Sequence, residues 1–165
     1  MRPRPDGVAS EAGDVVLRDV RESDLPTLYE HQADPKACEM AAFAPRDRGA
    51  FMAHWTKIMA DSSGLKKTVL FRGEVAGNIL AYDKDGKRLV GYWIGARYWG
   101  RGIASRALEG FLDQIPERPL HAFVATHNPA SSRVLEKCGF TEVRRIVGDD
   151  GVEEAEMVLR TIEPR

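Results

Sequence analysis

The chain has 165 residues, 43% of them hydrophobic and 30% charged, with a formal net charge of −1. That length suits one domain of ordinary globular composition with a sizeable core, and the near-neutral balance argues against a broad nucleic-acid-binding surface. Two cysteines, Cys38 and Cys138, are too few for a disulfide framework and read as small buried thiols, while four histidines without paired ligand spacing argue against a bound metal.

No apolar run approaches the roughly 18–20 residues that span a bilayer. The segment Met1-Arg2-Pro3-Arg4-Pro5-Asp6 lacks the apolar centre of a signal peptide. The expectation is a cytoplasmic protein with neither membrane nor nucleic acid as partner. Residues 1–13 hold Pro, Gly, Ala and charges and read as a frayed terminus, with one domain over 14–165.

A first strand is expected over Asp14–Val20. Ser23-Asp24 is a helix N-cap, and Leu25, Leu28 and Tyr29 recur at helical spacing up to a stop near Asp34-Pro35. The stretch Met40-Ala41-Ala42-Phe43 reads as an apolar connector, walling an acceptor site or joining the core. A second helix fits residues 46–60 through Phe51, Trp55, Ile58 and Met59. Strands follow over 65–72, 75–82 and 89–94, joined by Gly73-Glu74 and Asp83-Lys84-Asp85-Gly86, as an antiparallel meander. Residues 102–115 then read as a helix stopped by Pro116, 120–126 as a strand, and 128–137 as a helix ended by Gly139. Two strands near 140–147 and 152–160 close the chain.

The stretch from Tyr92 to Ser105 carries the chemistry. A strand feeds a short loop with two glycines, Gly100 and Gly102, at a helix entrance. Glycine permits unusual dihedrals and close approach of a ligand. The first helical turn offers N–H groups without internal partners and a partial positive charge, which together cradle phosphate. Arg101 adds a charge-assisted contact. A Walker loop is absent, and Gly100-x-Gly102-x-x-Ser105 lacks the third glycine of a dinucleotide fingerprint. A simple tight turn is the competing reading. Further on, Asn128-Pro129 is an N-cap followed by proline at the first helical position, and Ser131 lies on the inner edge of that helix.

These two segments together resemble the GNAT acetyltransferase superfamily, most closely its RimJ/RimL-like branch. The family's Gln/Arg-x-x-Gly-x-Gly/Ala loop falls on Trp99-Gly100-Arg101-Gly102-Ile103-Ala104, with tryptophan in the first place, a variant familiar in that branch. Arg97-x-x-Gly100-x-Gly102 also fits, shifted by two residues. The later segment resembles the family's Asn-x-x-Ser…Glu-Lys-x-Gly-Phe helix over Asn128–Phe140. The likeness covers residues 14–160.

The resemblance implies an α/β (α+β) fold: a central, mostly antiparallel mixed sheet of about six or seven strands, flanked by about four helices, with a splayed strand pair for the cofactor. It implies acetyl-CoA as co-substrate and no metal. The pyrophosphate is expected on the amides of Gly100, Arg101, Gly102, Ile103, Ala104 and Ser105 beside Trp99. The pantetheine arm is expected along the strand ending at Ile94, with Asn128 and Ser131 at the thioester. Many members place a tyrosine general acid where this chain has Leu135. In the RimL-like branch the serine here numbered Ser131 is the proposed acid, and a role confined to hydrogen bonding is the alternative. Glu154 and Glu156 share one strand face and either accept a proton through water or stand on a solvated face, the favoured reading. His31 either touches substrate or is uninvolved. The acceptor is expected to be a primary amine, a peptide N-terminus or a small molecule, on a monomer or homodimer. A non-catalytic acyl-CoA-binding module is the alternative function, and a dinucleotide oxidoreductase rests on Gly100-x-Gly102 alone.

Overall fold

The computed structural model describes residues 14–161; the expected frayed terminus at 1–13 lies outside the described residues. Strand β1 (Val15–Asp19) opens the chain, and a short 3-10 turn at Glu22–Asp24 leads into α1 (Leu25–Ala33). Helices α2 (Pro35–Ala41) and α3 (Arg48–Ala60) follow, then the meander β2 (Leu65–Phe71), β3 (Glu74–Lys84) and β4 (Lys87–Ile94). A second 3-10 turn at Ala96–Tyr98 precedes α4 (Ile103–Leu112), β5 (Leu120–Ala125), α5 (Pro129–Lys137), β6 (Thr141–Val147) and β7 (Glu153–Leu159). The seven strands form one sheet in the order β1-β2-β3-β4-β5-β7-β6. Every neighbouring pair is antiparallel except β4 and β5. This is the mostly antiparallel mixed sheet that the resemblance implies.

The sheet buries both faces at its centre. On one side Val69, Phe71, Ile79 and Ala81 pack with Ile103, Leu108 and Phe111 of α4, and Leu135 of α5 joins the same core. On the other side Leu25 and Leu28 of α1 meet Phe51 and Trp55 of α3, with Val75 and Leu80 of β3 beneath them. Burying such a side chain contributes about 1.5–3 kcal/mol, so these two layers supply most of the drive for folding.

Helix α2 is a departure from expectation. The segment written above as a connector is helical because Asp34 accepts a hydrogen bond from Lys36 N–H at 3.0 Å and Pro35 takes the first helical position. Ala42, at φ 52°, ends it in the left-handed region. Asp34-Pro35 thus ends α1 and starts α2. Asp24 also departs: its side chain makes no cap bond to α1. The carboxylate is buried and accepts from Arg18 Nη1 and Nη2 at 2.7 and 2.8 Å, Thr68 Oγ1 at 2.7 Å and Arg21 N at 2.9 Å. Burial by itself raises its pKa, but the hydrogen bonds from Arg18, Arg21 and Thr68 together outweigh burial and hold it at about 2.

Candidate active site

The parallel pair β4 and β5 meets in register only at Leu89 and His121. Beyond that point no further pair is in register, and a cleft of about 520 Å³ opens between the end of β4 with the loop into α4 on one side and α5, which follows β5, on the other. The hydrogen-bond alternation of β4 decides which groups face the gap. Gly95 N–H donates to Ala76 O at 2.9 Å, so Gly95 and Ala76 form a hydrogen-bonded pair. Pairing alternates along an antiparallel ladder. Tyr92 and Ile94 therefore aim their main-chain groups away from β3, toward β5. The Ile94 carbonyl is taken by Trp99 Nε1 at 2.9 Å, which leaves the Ile94 N–H at the mouth of the gap. The indole of Trp99 thereby ties the glycine loop to the end of β4, a physical reason for tryptophan at this place.

Gly100 and Gly102 have φ of 78° and 75°. A Cβ at either would meet no atom, so the requirement is the left-handed backbone rather than space. That geometry turns the chain into α4. Arg106 N–H donates to Gly102 O at 3.1 Å, the first bond of the helix. The main-chain amides from Gly100 to Ser105 donate to no main-chain carbonyl among the described residues. They form an unfilled set of donors at the positive end of α4. Across the cleft, Asn128 Oδ1 accepts from Ser131 N–H at 3.3 Å and caps α5 as expected.

Of the residues singled out from sequence, Ile94, Trp99, Gly100, Gly102, Ile103, Ala104, Ser105, Asn128 and Ser131 all line this cleft. Arg101 does not: its guanidinium lies 5.1 Å above the Phe71 ring. Only its main-chain amide belongs with the loop. The cleft also takes Ala37, Met40 and Ala41 from α2, Tyr92, Trp93 and Tyr98 near the end of β4, and Arg133 and Lys137 from α5. Met40 and Ala41 belong to the stretch read from sequence as walling an acceptor site or joining the core, whereas sequence reading assigns Arg133 and Lys137 no role. The i, i+4 spacing of Arg133 and Lys137 on a capped helix was the available signal. His127 Nε2 lies 3.0 Å from Glu39 O and links the loop before α5 to α2.

Neither Glu154 nor Glu156 lines the cleft. Glu156 is not solvated either. It is 2% exposed and bonded to Lys87 Nζ at 2.7 Å, His121 Nδ1 at 2.8 Å and Arg144 Nε at 2.5 Å. Burial pushes its pKa up, but these hydrogen bonds outweigh burial and hold it at about 2. It is a structural anion and cannot take a proton near neutral pH. His31 packs its ring on the end of β4, where a Cβ on Gly95 would come within 2.7 Å of it. Burial lowers its pKa, which favours the neutral ring.

Tyr92 and Ser131 form a pair: their hydroxyl oxygens are 2.7 Å apart, and Tyr92 also donates to Ser131 O at 3.3 Å. Burial pushes the Tyr92 pKa up to about 12, against the lowering effect of the Ser131 hydrogen bond. Leu135, at the place of the family tyrosine, is 2% exposed in the core and carries no proton to give.

Comparisons with known proteins bear on this site. The crystal structure of spermidine N-acetyltransferase from Vibrio cholerae, in complex with CoA and spermine, matches with a TM-score of 0.77 at 17% identity, over 89% of this chain and 95% of that one. RimL, a ribosomal-protein alpha-N-protein acetyltransferase in complex with coenzyme A, matches with a TM-score of 0.75 at 17% identity, over 89% and 94%. At such identities the likeness shows the fold. A ribosomal N-acetyltransferase candidate of Bacillus subtilis (strain 168), YdaF, is 26% identical over 102 residues, which are 58% of this chain. The aligned region spans 56% of the length of that curated relative. The model of the acetyltransferase (GNAT) domain matches residues 14–141. With that match over most of its length, and a splayed strand pair in its sheet, the chain belongs to the GNAT acetyltransferase family.

Proposed function

We propose that the protein transfers an acetyl group from acetyl-CoA to a primary amine by direct attack within a ternary complex. The observation that carries this reading is the cleft itself. It joins a row of unfilled amides at Gly100–Ser105 to a polar end at Ile94 N–H, Asn128 and Ser131. A diphosphate fits the amides, and the cations of Arg133 and Lys137 on the opposite wall suit phosphate charge. The mostly apolar lining between these ends suits a pantetheine arm. Bound there, acetyl-CoA supplies an activated thioester. The chain's residues position it, donate to the developing oxyanion from Ile94 N–H, and donate to the departing sulfur from Ser131.

The site also bears on the acceptor. Among the described residues no carboxylate lines the cleft. Nothing there matches a polycation, and no carboxylate there would deprotonate a lysine-like amine of pKa about 10.4. An α-amine of pKa about 7.7–8.0 is partly neutral without help. A peptide N-terminus, or a small amine of similar basicity, is the acceptor class this wall favours. The placement of Leu135 in the core favours the second reading, a module that binds acyl-CoA without turnover. Release of free thiol from acetyl-CoA, followed over a panel of N-terminal peptides, small amines and spermidine, separates the two. Peptide-dependent release supports transfer; coenzyme A binding with no release from any amine overturns it.

A further inference from the structure

We infer that Tyr92 is a positioning residue for the leaving group: it donates to Ser131 Oγ, so that the Ser131 hydroxyl hydrogen is aimed into the cleft at the departing sulfur. The inference rests on the transfer reading for where the thioester lies. Tyr92 comes from β4, on the opposite wall of the cleft from α5. It therefore reaches Ser131 from a different element than the one that carries the family tyrosine.

Two hydroxyl groups share two hydrogens here, and the two contacts allow two arrangements. In the first, Ser131 donates to Tyr92 Oη and Tyr92 donates to Ser131 O, the 3.3 Å contact. The pair is then closed on itself. In the second, Tyr92 donates to Ser131 Oγ across 2.7 Å and the Ser131 hydrogen is free. An anion arriving in the cleft selects the second arrangement, because only that one gives it a donor. The chained hydroxyls polarise each other, and the half-buried surroundings strengthen both bonds.

The chemistry is hydrogen bonding rather than proton transfer. The amine nitrogen bonds to the acetyl carbon, the carbon–sulfur bond breaks, and its electron pair stays on sulfur. A thiol of pKa about 8.5 is a far stronger acid than serine or a phenol held near 12. The hydroxyl hydrogens therefore stay on oxygen and stabilise the thiolate. The nitrogen releases its proton to water, and the thiolate takes one from water when it leaves. Burial raises the pKa of the Cys138 thiol, which does not line the cleft.

The test titrates the thiol of coenzyme A bound to the protein, by ultraviolet absorbance of the thiolate, in wild type, Tyr92→Phe, Ser131→Ala and the double variant. The bound thiol should titrate about one pH unit lower in wild type than in either single variant. With an accepted amine, kcat should fall about tenfold in Tyr92→Phe with coenzyme A affinity unchanged. The double variant should be no worse than Ser131→Ala, since Tyr92 acts through Ser131. An unshifted thiol pKa in Tyr92→Phe or in Ser131→Ala, or losses that multiply in the double variant, overturns the inference while leaving acetyl transfer standing. A thiol that responds as stated in a protein that acetylates no amine keeps the inference and overturns the transfer reading. Failure of wild type to bind coenzyme A removes both. Ser131→Ala titrates the same thiol should Tyr92→Phe not fold.

Discussion

Glu156 shows how much of this molecule is settled residue by residue. Its carboxylate, on the middle of β7, gathers a lysine from β4, a histidine from β5 and an arginine from β6. Replacing it with glutamine leaves three donors facing a neutral acceptor. Loss of one partner from a buried charge cluster costs about 3–5 kcal/mol. Arg144 is 54% exposed and screened by solvent, so about 2 kcal/mol is expected for Glu156→Gln, read from the urea midpoint. Asp24 and Glu156 both have folded pKa values depressed to about 2 from ordinary values of 3.8 and 4.5. Such groups stabilise the fold fully above the unfolded pKa and lose that contribution as pH falls through the folded value. Stability should therefore be flat from neutrality down to about pH 5 on their account, then drop between about pH 4.5 and 2. Asp24→Asn should remove part of that slope in an acid-unfolding series.

At the scale of elements, the loop into α4 and the cap of α5 set the two ends of the cleft. Gly102→Val forces a β-branched residue to φ near 75°, a strain of about 1–2 kcal/mol. The larger consequence is a turned or blocked amide at the phosphate end. Coenzyme A affinity should fall at least about tenfold by calorimetry, while far-ultraviolet circular dichroism stays near wild type. Asn128→Ala removes a long cap bond of 3.3 Å and should cost about 0.5–1 kcal/mol of stability. Because the same bond orients the first turn carrying Ser131, kcat should fall more than coenzyme A affinity. Both segments were legible in the sequence, since glycine and cap residues act through their own backbone. Helix α2 was less so. Asp34-Pro35 is both the end of one helix and the start of the next, and a seven-residue helix shows less than two turns of apolar periodicity.

For the whole molecule, the cleft lies between the end of β4 and α5, at the seam where the first four strands meet the last three. A ligand gripping both sides should stabilise the fold by linkage. At one hundred times the dissociation constant that is about 2.7 kcal/mol. For a domain of this size the melting temperature should rise roughly 5–10 °C with coenzyme A, and the rise should shrink in Gly102→Val.

The order of elements apart from α2, the meander, the glycine loop and the Asn128 cap were determined by the sequence alone, because each depends on local periodicity or on one residue's own dihedrals. The tertiary structure decided the rest. Glu154 and Glu156 share a face on paper, yet that face lies outside the cleft, and Glu156 is sealed by a lysine, a histidine and an arginine from three other strands. Tyr92 and Ser131 are 39 residues apart, and no spacing rule links them. Their contact joins β4 to α5, and only the packing of distant segments in the folded chain brings those two elements together.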